Sequence, residues 1–413
     1  MAEKKFHQLL SIKLLYKSPL SSLISSWKRR KNKMVKRAMD DPPKDQLQLE
    51  YVQSIPEAQI YKGVLLQGYL VPADLLEGLE DMPIRRDDVF IITYPKSGTT
   101  WTEEIVSLIC QGGDVEKVKK EPLVYRVHHL EVGSPFGHSR FLKKLPSPRL
   151  MATHLPLPLL PRDLRNPKCK IIYVMRNPKD TAVSYYHHHK ISSFLGNASH
   201  SWDKFLAYFM AGHVVYGSWF DHVLPYWEFC KRNPNKVFFL SYEELKLDLG
   251  GMVRRLSDFL KQPLSVEEVD AIVNHCSFES MKTNKMVNRE NLPISDLFDM
   301  TQSKFMRKGI IGDWKNYFTQ EQSEEFDEVC SDRLSGCDLP ILDDPEEVIR
   351  YFSDFGRIIY NAPEASLSSD EEEDESEDES SYSREMTVRN CYSFIPQMQL
   401  HVQPDPLTLD SLG

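Results

Sequence analysis

Three unbroken apolar runs stand out along the middle of the chain: Val89–Thr93 (VFIIT), Lys170–Met175 (KIIYVM) and residues 236–240 (KVFFL). Each gives way to a polar turn and then to a helical pattern, at 101–110, 179–189 and 249–260. In the last of these Met252, Val253, Leu256, Phe259 and Leu260 share one face. Strands without polar alternation are buried on both faces, and their alternation with helices predicts βα units around a parallel sheet. The predicted fold class is α/β: one domain with a central parallel sheet flanked by helices and a P-loop-like strand–loop–helix nucleotide site. Ligands of such sheets bind beyond the carboxyl ends of the strands, so the loops there are where chemistry is sought.

Globular composition without repeats runs from 49 to 362, and 41% apolar with 11% aromatic residues suffices for a sizeable core. Residues 1–48 form a basic N-terminal tail, with 11 Lys/Arg against one acid in 1–37. It reads as a solvated, disordered appendage; a basic helix touching anionic lipid and a nuclear-localisation patch are the other readings. Residues 363–413 form an acidic, Ser-rich tail, with nine acids and no base in 366–381, expected to be disordered. Ser369 and Ser376, each followed by acids, suit an acid-directed kinase. The tails nearly cancel, so the net charge of −9 falls on the body, which argues against a nucleic-acid partner. The seven cysteines lack metal spacing and read as reduced cytoplasmic thiols. The longest uncharged run near the start, 18–27, is half of what crossing a membrane requires. No secretory signal is seen, and the predicted location is cytoplasmic.

The densest chemistry is Tyr94-Pro-Lys-Ser-Gly-Thr-Thr-Trp101, between a buried strand and a helix. Gly98 lets backbone approach an anion, Ser97, Thr99 and Thr100 bring hydroxyls, and Lys96 brings charge; the N–H groups opening the helix point the same way. This is not the nucleotide-triphosphatase loop, in which glycine precedes the lysine. No metal-holding acid closes a later strand either: the second ends in Arg176 and the third in Ser241-Tyr242-Glu243-Glu244. A metal-free anion site fits better than magnesium–ATP, which weakens a nucleotide or nucleoside kinase reading. His187-His188-His189 cannot chelate together on a helix, where each residue steps by about 100° and three consecutive ones fan over about 200°.

YPKSGTTW resembles the 5′-phosphosulfate loop of the cytosolic sulfotransferases. Arg176-Asn-Pro-Lys-Asp…Ser184-Tyr-Tyr, Tyr216-Gly-Ser-Trp-Phe, Ser241-Tyr-Glu-Glu and Phe305-Met-Arg-Lys-Gly-Ile-Ile-Gly-Asp-Trp follow in that family's order. The resemblance implies a sulfotransferase that moves the sulfuryl group of 3′-phosphoadenylyl sulfate (PAPS) in line onto a hydroxyl or amine of a small molecule such as a phenol or sterol. It implies Lys96 on the leaving phosphate, with Ser97, Gly98, Thr99 and Thr100 around the 5′-phosphosulfate. Trp101, Phe278 and Tyr242 would frame the adenine, with Cys276 beside them. Arg176, Ser184, Arg307, Lys308 and the Gly309 N–H would hold the 3′-phosphate. His154, in a Thr-His-Leu-Pro frame, would be the general base; read alone, a histidine before such a turn is more readily structural.

Three positions depart from that pattern. Ala152 stands where many members carry a lysine, Cys276 where a threonine is common, and Gln320 replaces a valine in the stretch Lys315…Thr319-Gln320…Glu324 through which members pair as homodimers. Ala152 and the charged tails keep a second reading open, a cofactor-binding scaffold with little turnover. His188, Phe136, Phe141, Phe194 and Leu195 are the expected acceptor-pocket wall; the acceptor itself is not legible.

Overall fold

The computed structural model describes residues 43–133, 139–196, 200–288 and 297–359. The chain divides into two compact units, 1–364 and 365–413, and the second lies outside the described residues. So do Ser369, Ser376 and Phe136.

Seven strands are described: β1 Ala58–Tyr61, β2 Val64–Gln67, β3 Val89–Thr93, β4 His128–His129, β5 Leu150–Thr153, β6 Lys170–Met175 and β7 Val237–Ser241. β1 and β2 form an antiparallel hairpin across Lys62 and Gly63, both at positive φ (47° and 77°), the primed turn that matches strand twist. The other five make one parallel sheet in the order β4-β5-β3-β6-β7. Its central strands are buried on both faces. Phe90 and Ile92 of β3, with Tyr173 of β6 and Phe239 of β7, enter one core cluster. Val89, Ile91, Ile172, Val174, Phe238 and Leu240 enter the other. Period-two burial on both sides is why these segments carry no polar alternation, and it makes the body three layers, helix–sheet–helix.

The helices that matter to the site are α1 Gln46–Ser54, α2 Thr99–Ile109, α3 Pro178–Ile191, α4 Trp219–Arg232, α5 Tyr242–Leu247, α6 Leu249–Phe259, α7 Val266–His275 and α8 Phe278–Thr283. Local chemistry sets their starts. Asn177 caps α3 through Asp180 N, with Pro178 at the first helical position. Ser241 and Glu244 form a reciprocal capping box at α5, so β7 runs straight into a helix. α1 begins at Gln46, inside the stretch assigned from sequence to the tail, with Asp45 as its cap. Its Tyr51 hydroxyl meets His189 Nε2 at 2.6 Å.

Candidate active site

The turn from β3 to α2 is built around two left-handed residues, Lys96 (φ 70°) and Gly98 (φ 105°). A Cβ on Gly98 would lie 2.9 Å from the Tyr242 ring, so only glycine allows α5 to close over this loop. Thr99 Oγ1 and Thr93 Oγ1 are 2.7 Å apart, pinning the first turn of α2 to the end of β3. Lys96 Nζ lies 4.7 Å from the centroid of the Phe305 ring. Trp101 donates its Nε1–H to the Cys276 carbonyl (2.8 Å) and meets Tyr242 edge-on at 5.5 Å.

Arg176 closes β6 with its guanidinium 4.3 Å above the centroid of Tyr242. It donates to the carbonyls of Ile310 (3.2 Å) and Lys96 (3.4 Å), tying three loops together. Asp180, 3.7 Å from Arg176, accepts from the Gly312 and Trp314 N–H groups and so fixes the segment after Gly309. Arg307 and Lys308 both pair with the buried Asp313, which holds two cations on one side of the cavity. Burial pushes the Asp313 carboxyl up, but hydrogen bonds from Lys308 and Arg307 outweigh it and hold the group below the ordinary range. Gly309 (φ 64°) lies flat against Phe278: a Cβ there would fall 2.3 Å from the ring.

Beyond β5, His154 is held from three sides. Its Nδ1 lies 2.9 Å from the Thr93 carbonyl, its N–H donates to Glu131 Oε1 (2.8 Å), and its carbonyl accepts from His222 Nε2 (3.0 Å). A carbonyl only accepts, so Nδ1 carries the proton and the neutral ring presents Nε2 as the base. Burial pushes its pKa down to about 3, assisted by the charge of His129, so the ring is neutral at physiological pH. Tyr216 packs edge-on at 5.4 Å and also donates to Glu131 (3.3 Å).

These groups line one cavity of about 320 Å³, of the size that takes a small ligand. Of the residues singled out from sequence, Lys96, Gly98, Thr99, Thr100, Trp101, His154, Arg176, Ser184, Tyr242, Phe278, Arg307, Lys308 and Gly309 reach its wall, as do His188, Phe194 and Leu195. Ser97 and Cys276 do not: both are fully buried behind it, and Cys276 offers only its carbonyl, to Trp101. Phe141 packs on His128 instead, 5.3 Å away. The three histidines of α3 diverge as helical geometry requires: His187 to the Tyr317 hydroxyl (2.7 Å), His188 to the cavity, His189 to Tyr51. Among the described residues no group of three or more His, Cys, Asp or Glu side chains could hold a metal ion. None of their helices is long and apolar enough to cross a membrane.

Nothing in the linear order of the chain marks Glu131 or His222 as parts of the site, and although Asp180, Tyr216 and Asp313 fall inside the quoted motifs, their roles as struts are not written there, because each acts through partners that only the fold brings near. Among the described residues, the buried Ser97 Oγ, Arg176 Nε and Arg307 Nη1 have no hydrogen-bond partner. Buried donors are seldom left so, and three of them beside a cluster of cations fit an anionic ligand.

A strand–loop–helix turn at Gly98, a second cationic cluster and a buried neutral histidine line one cavity on the parallel sheet, an arrangement that fits a transferase with an anionic co-substrate. The sulfotransferase domain family model matches residues 86–338, and the chain belongs to the sulfotransferase family. It is 45% identical over 271 residues to sulfotransferase 1B1 of Mus musculus, covering 65% of this chain and 89% of that one. Retinol dehydratase in complex with androsterone and inactive cofactor PAP superposes with a TM-score of 0.64 at 28% identity, covering 74% of this chain and 97% of that one. Mouse sulfotransferase SULT7A1 complexed with PAP gives 0.59 at 32%, covering 72% and 100%. The protein is thus a sulfotransferase with an α/β fold, as its sequence motifs implied.

Proposed function

We propose that the cavity takes 3′-phosphoadenylyl sulfate at its cationic end and a small hydroxyl- or amine-bearing acceptor at its His154 end. The observation that carries this reading is that Lys96 and the neutral His154 line one cavity together with Arg176, Arg307 and Lys308. Trp101 and Phe278 would hold the adenine between them with Tyr242 at its edge. The loop 96–100 would hold the 5′-phosphosulfate, with the Ser97 hydroxyl turning to it. Arg176, Ser184, Arg307, Lys308 and the Gly309 N–H would hold the 3′-phosphate, whose dianionic oxygens suit paired guanidinium donors.

His154 would accept the acceptor's proton at Nε2 as its oxygen attacks sulfur, while the Thr93 carbonyl keeps the ring from turning and Glu131 anchors the backbone beneath it. Lys96 would meet the negative charge that grows on the departing phosphate oxygen. Ala152 is fully buried and supplies no cation, so Lys96 carries that work from the loop side. The acceptor would be largely apolar, since Ile191, Phe194, Leu195, Phe298 and Phe305 form that end of the wall; the androsterone bound by retinol dehydratase is a molecule of this kind. We also place the enzyme in the cytoplasm, supported by the six described cysteines, which are all thiols.

The test of the nucleotide reading is calorimetric binding of adenosine 3′,5′-bisphosphate against adenosine 5′-monophosphate. The bisphosphate is expected to bind at least tenfold more tightly, and Arg176→Ala to remove most of that difference. Equal affinity for the two nucleotides would refute the 3′-phosphate assignment.

A further inference from the structure

The acceptor end of the cavity holds a second imidazole that the proposed reaction does not use. His129, on the short edge strand β4, lines the cavity with its ring 5.4 Å from that of His154. Its Nε2 lies 2.9 Å from Glu103 Oε1 on α2, and the Glu103 side chain is 3% exposed. Glu103 itself does not reach the cavity wall. The pair is therefore an oriented dipole: a ring able to carry a proton faces the ligand, and the carboxylate that favours that charge sits behind it in the protein. A buried carboxylate stabilises a protonated neighbour, and an ion pair out of water acts over a few ångströms with little screening. The register partner of His129 is Ala152, whose methyl shares the same sheet face, so this edge presents the imidazole as its polar group.

We propose, resting on the acceptor-site reading above, that the Glu103–His129 pair selects acceptors carrying an anionic group beside the hydroxyl to be sulfated. The two rings stand 5.4 Å apart, centroid to centroid, close enough that a hydroxyl at His154 and an anionic group at His129 can belong to one small aromatic acceptor, such as a phenol with a meta carboxylate. Of the charged and titratable groups around the ring, Glu103 from α2 supports its proton, while His154 from the end of β5 and His128 beside it on β4 compete with it. Lys96 acts on His154 from the β3 loop. The preference is therefore present while the ring is protonated and is lost as pH rises through its deprotonation.

The experiment measures binding of 3-hydroxybenzoate and of 3-methylphenol to the enzyme saturated with adenosine 3′,5′-bisphosphate, at pH 6 to 9. Wild type should favour the carboxylate at low pH, and His129→Phe should cut the ratio of the two affinities about tenfold, the worth of one charge-assisted hydrogen bond. Glu103→Gln keeps the shape but not the charge, and should move the fall of the ratio to lower pH. Because a ratio is read, loss of properly folded protein in a variant does not mimic the effect. Ratios within twofold of wild type in both variants, or a wild-type ratio flat with pH, would overturn the proposal. Failure of wild type to bind either phenol while the bisphosphate still binds would overturn the acceptor-site reading, and this inference with it.

Discussion

Substituting Gly309 by alanine separates two effects that usually travel together. A Cβ at this position would stand 2.3, 2.5 and 3.0 Å from three atoms of the Phe278 ring, distances that require the ring or the loop to retreat by about an ångström. The backbone at φ 64° adds strain of about 1–2 kcal/mol for a non-glycine residue. Gly336 supplies the control: its φ is 76°, and nothing lies within 4 Å of where its Cβ would stand. Both variants should lose about 1 kcal/mol of stability, read as a shift in Tm. Only Gly309→Ala should lose nucleotide affinity, because the displaced ring is the wall proposed for the adenine and the loop carries Arg307 and Lys308. A loss of at least tenfold in bisphosphate affinity is expected, about 1.4 kcal/mol. Calorimetry on the two variants and wild type decides it. Gly309→Ala binding within twofold of wild type would refute the placement of adenine against Phe278.

Acid sensitivity should follow from the buried neutral histidines, since burial pushes His189 and His222, like His154, down to about 3. The folded pKa lies below the unfolded one, so stability is intact above about pH 6.5 and falls as the unfolded chain takes up protons below it. Each ring then costs about 1.4 kcal/mol per pH unit. A Tm that drops between about pH 6.5 and 5.5, with a shallower drop in His189→Gln, is the expected result, and a flat Tm in wild type would contradict it. Cys276→Ala should leave bisphosphate affinity within twofold, as measured by calorimetry, because the thiol is fully buried and only the residue's carbonyl holds Trp101. A tenfold loss would return the side chain to the nucleotide site.

Much of the fold is legible in the chain. β3 and β6 fall where the apolar runs place them, because strands buried on both faces write their whole length in hydrophobic residues. β7 ends one residue later than the apolar run, since Ser241 belongs to the strand through its backbone and to α5 through its side chain. β4 and β5 leave no such trace: two and four residues are too few for any periodicity, and Leu-Met-Ala-Thr has no strand-like composition. The site divides the same way. A local motif such as Lys96 to Trp101 shows that these residues are adjacent, and the turn chemistry explains why. It does not show which way each side chain faces, and so it cannot tell that Ser97 and Cys276 sit behind the cavity wall that their neighbours form. Glu131, Tyr216 and His222 converge on His154 from 23 to 68 residues away, contacts that exist only once the sheet has formed.

The most direct measurement is transfer of labelled sulfate from 3′-phosphoadenylyl sulfate to a panel of phenols and sterols by wild type, His154→Ala and Lys96→Ala, with bisphosphate binding followed in parallel. Labelled product from wild type is predicted, falling by at least a hundredfold in His154→Ala while bisphosphate affinity stays within a few-fold. Transfer that persists undiminished in His154→Ala would contradict the account of this histidine as the base on which the reaction turns.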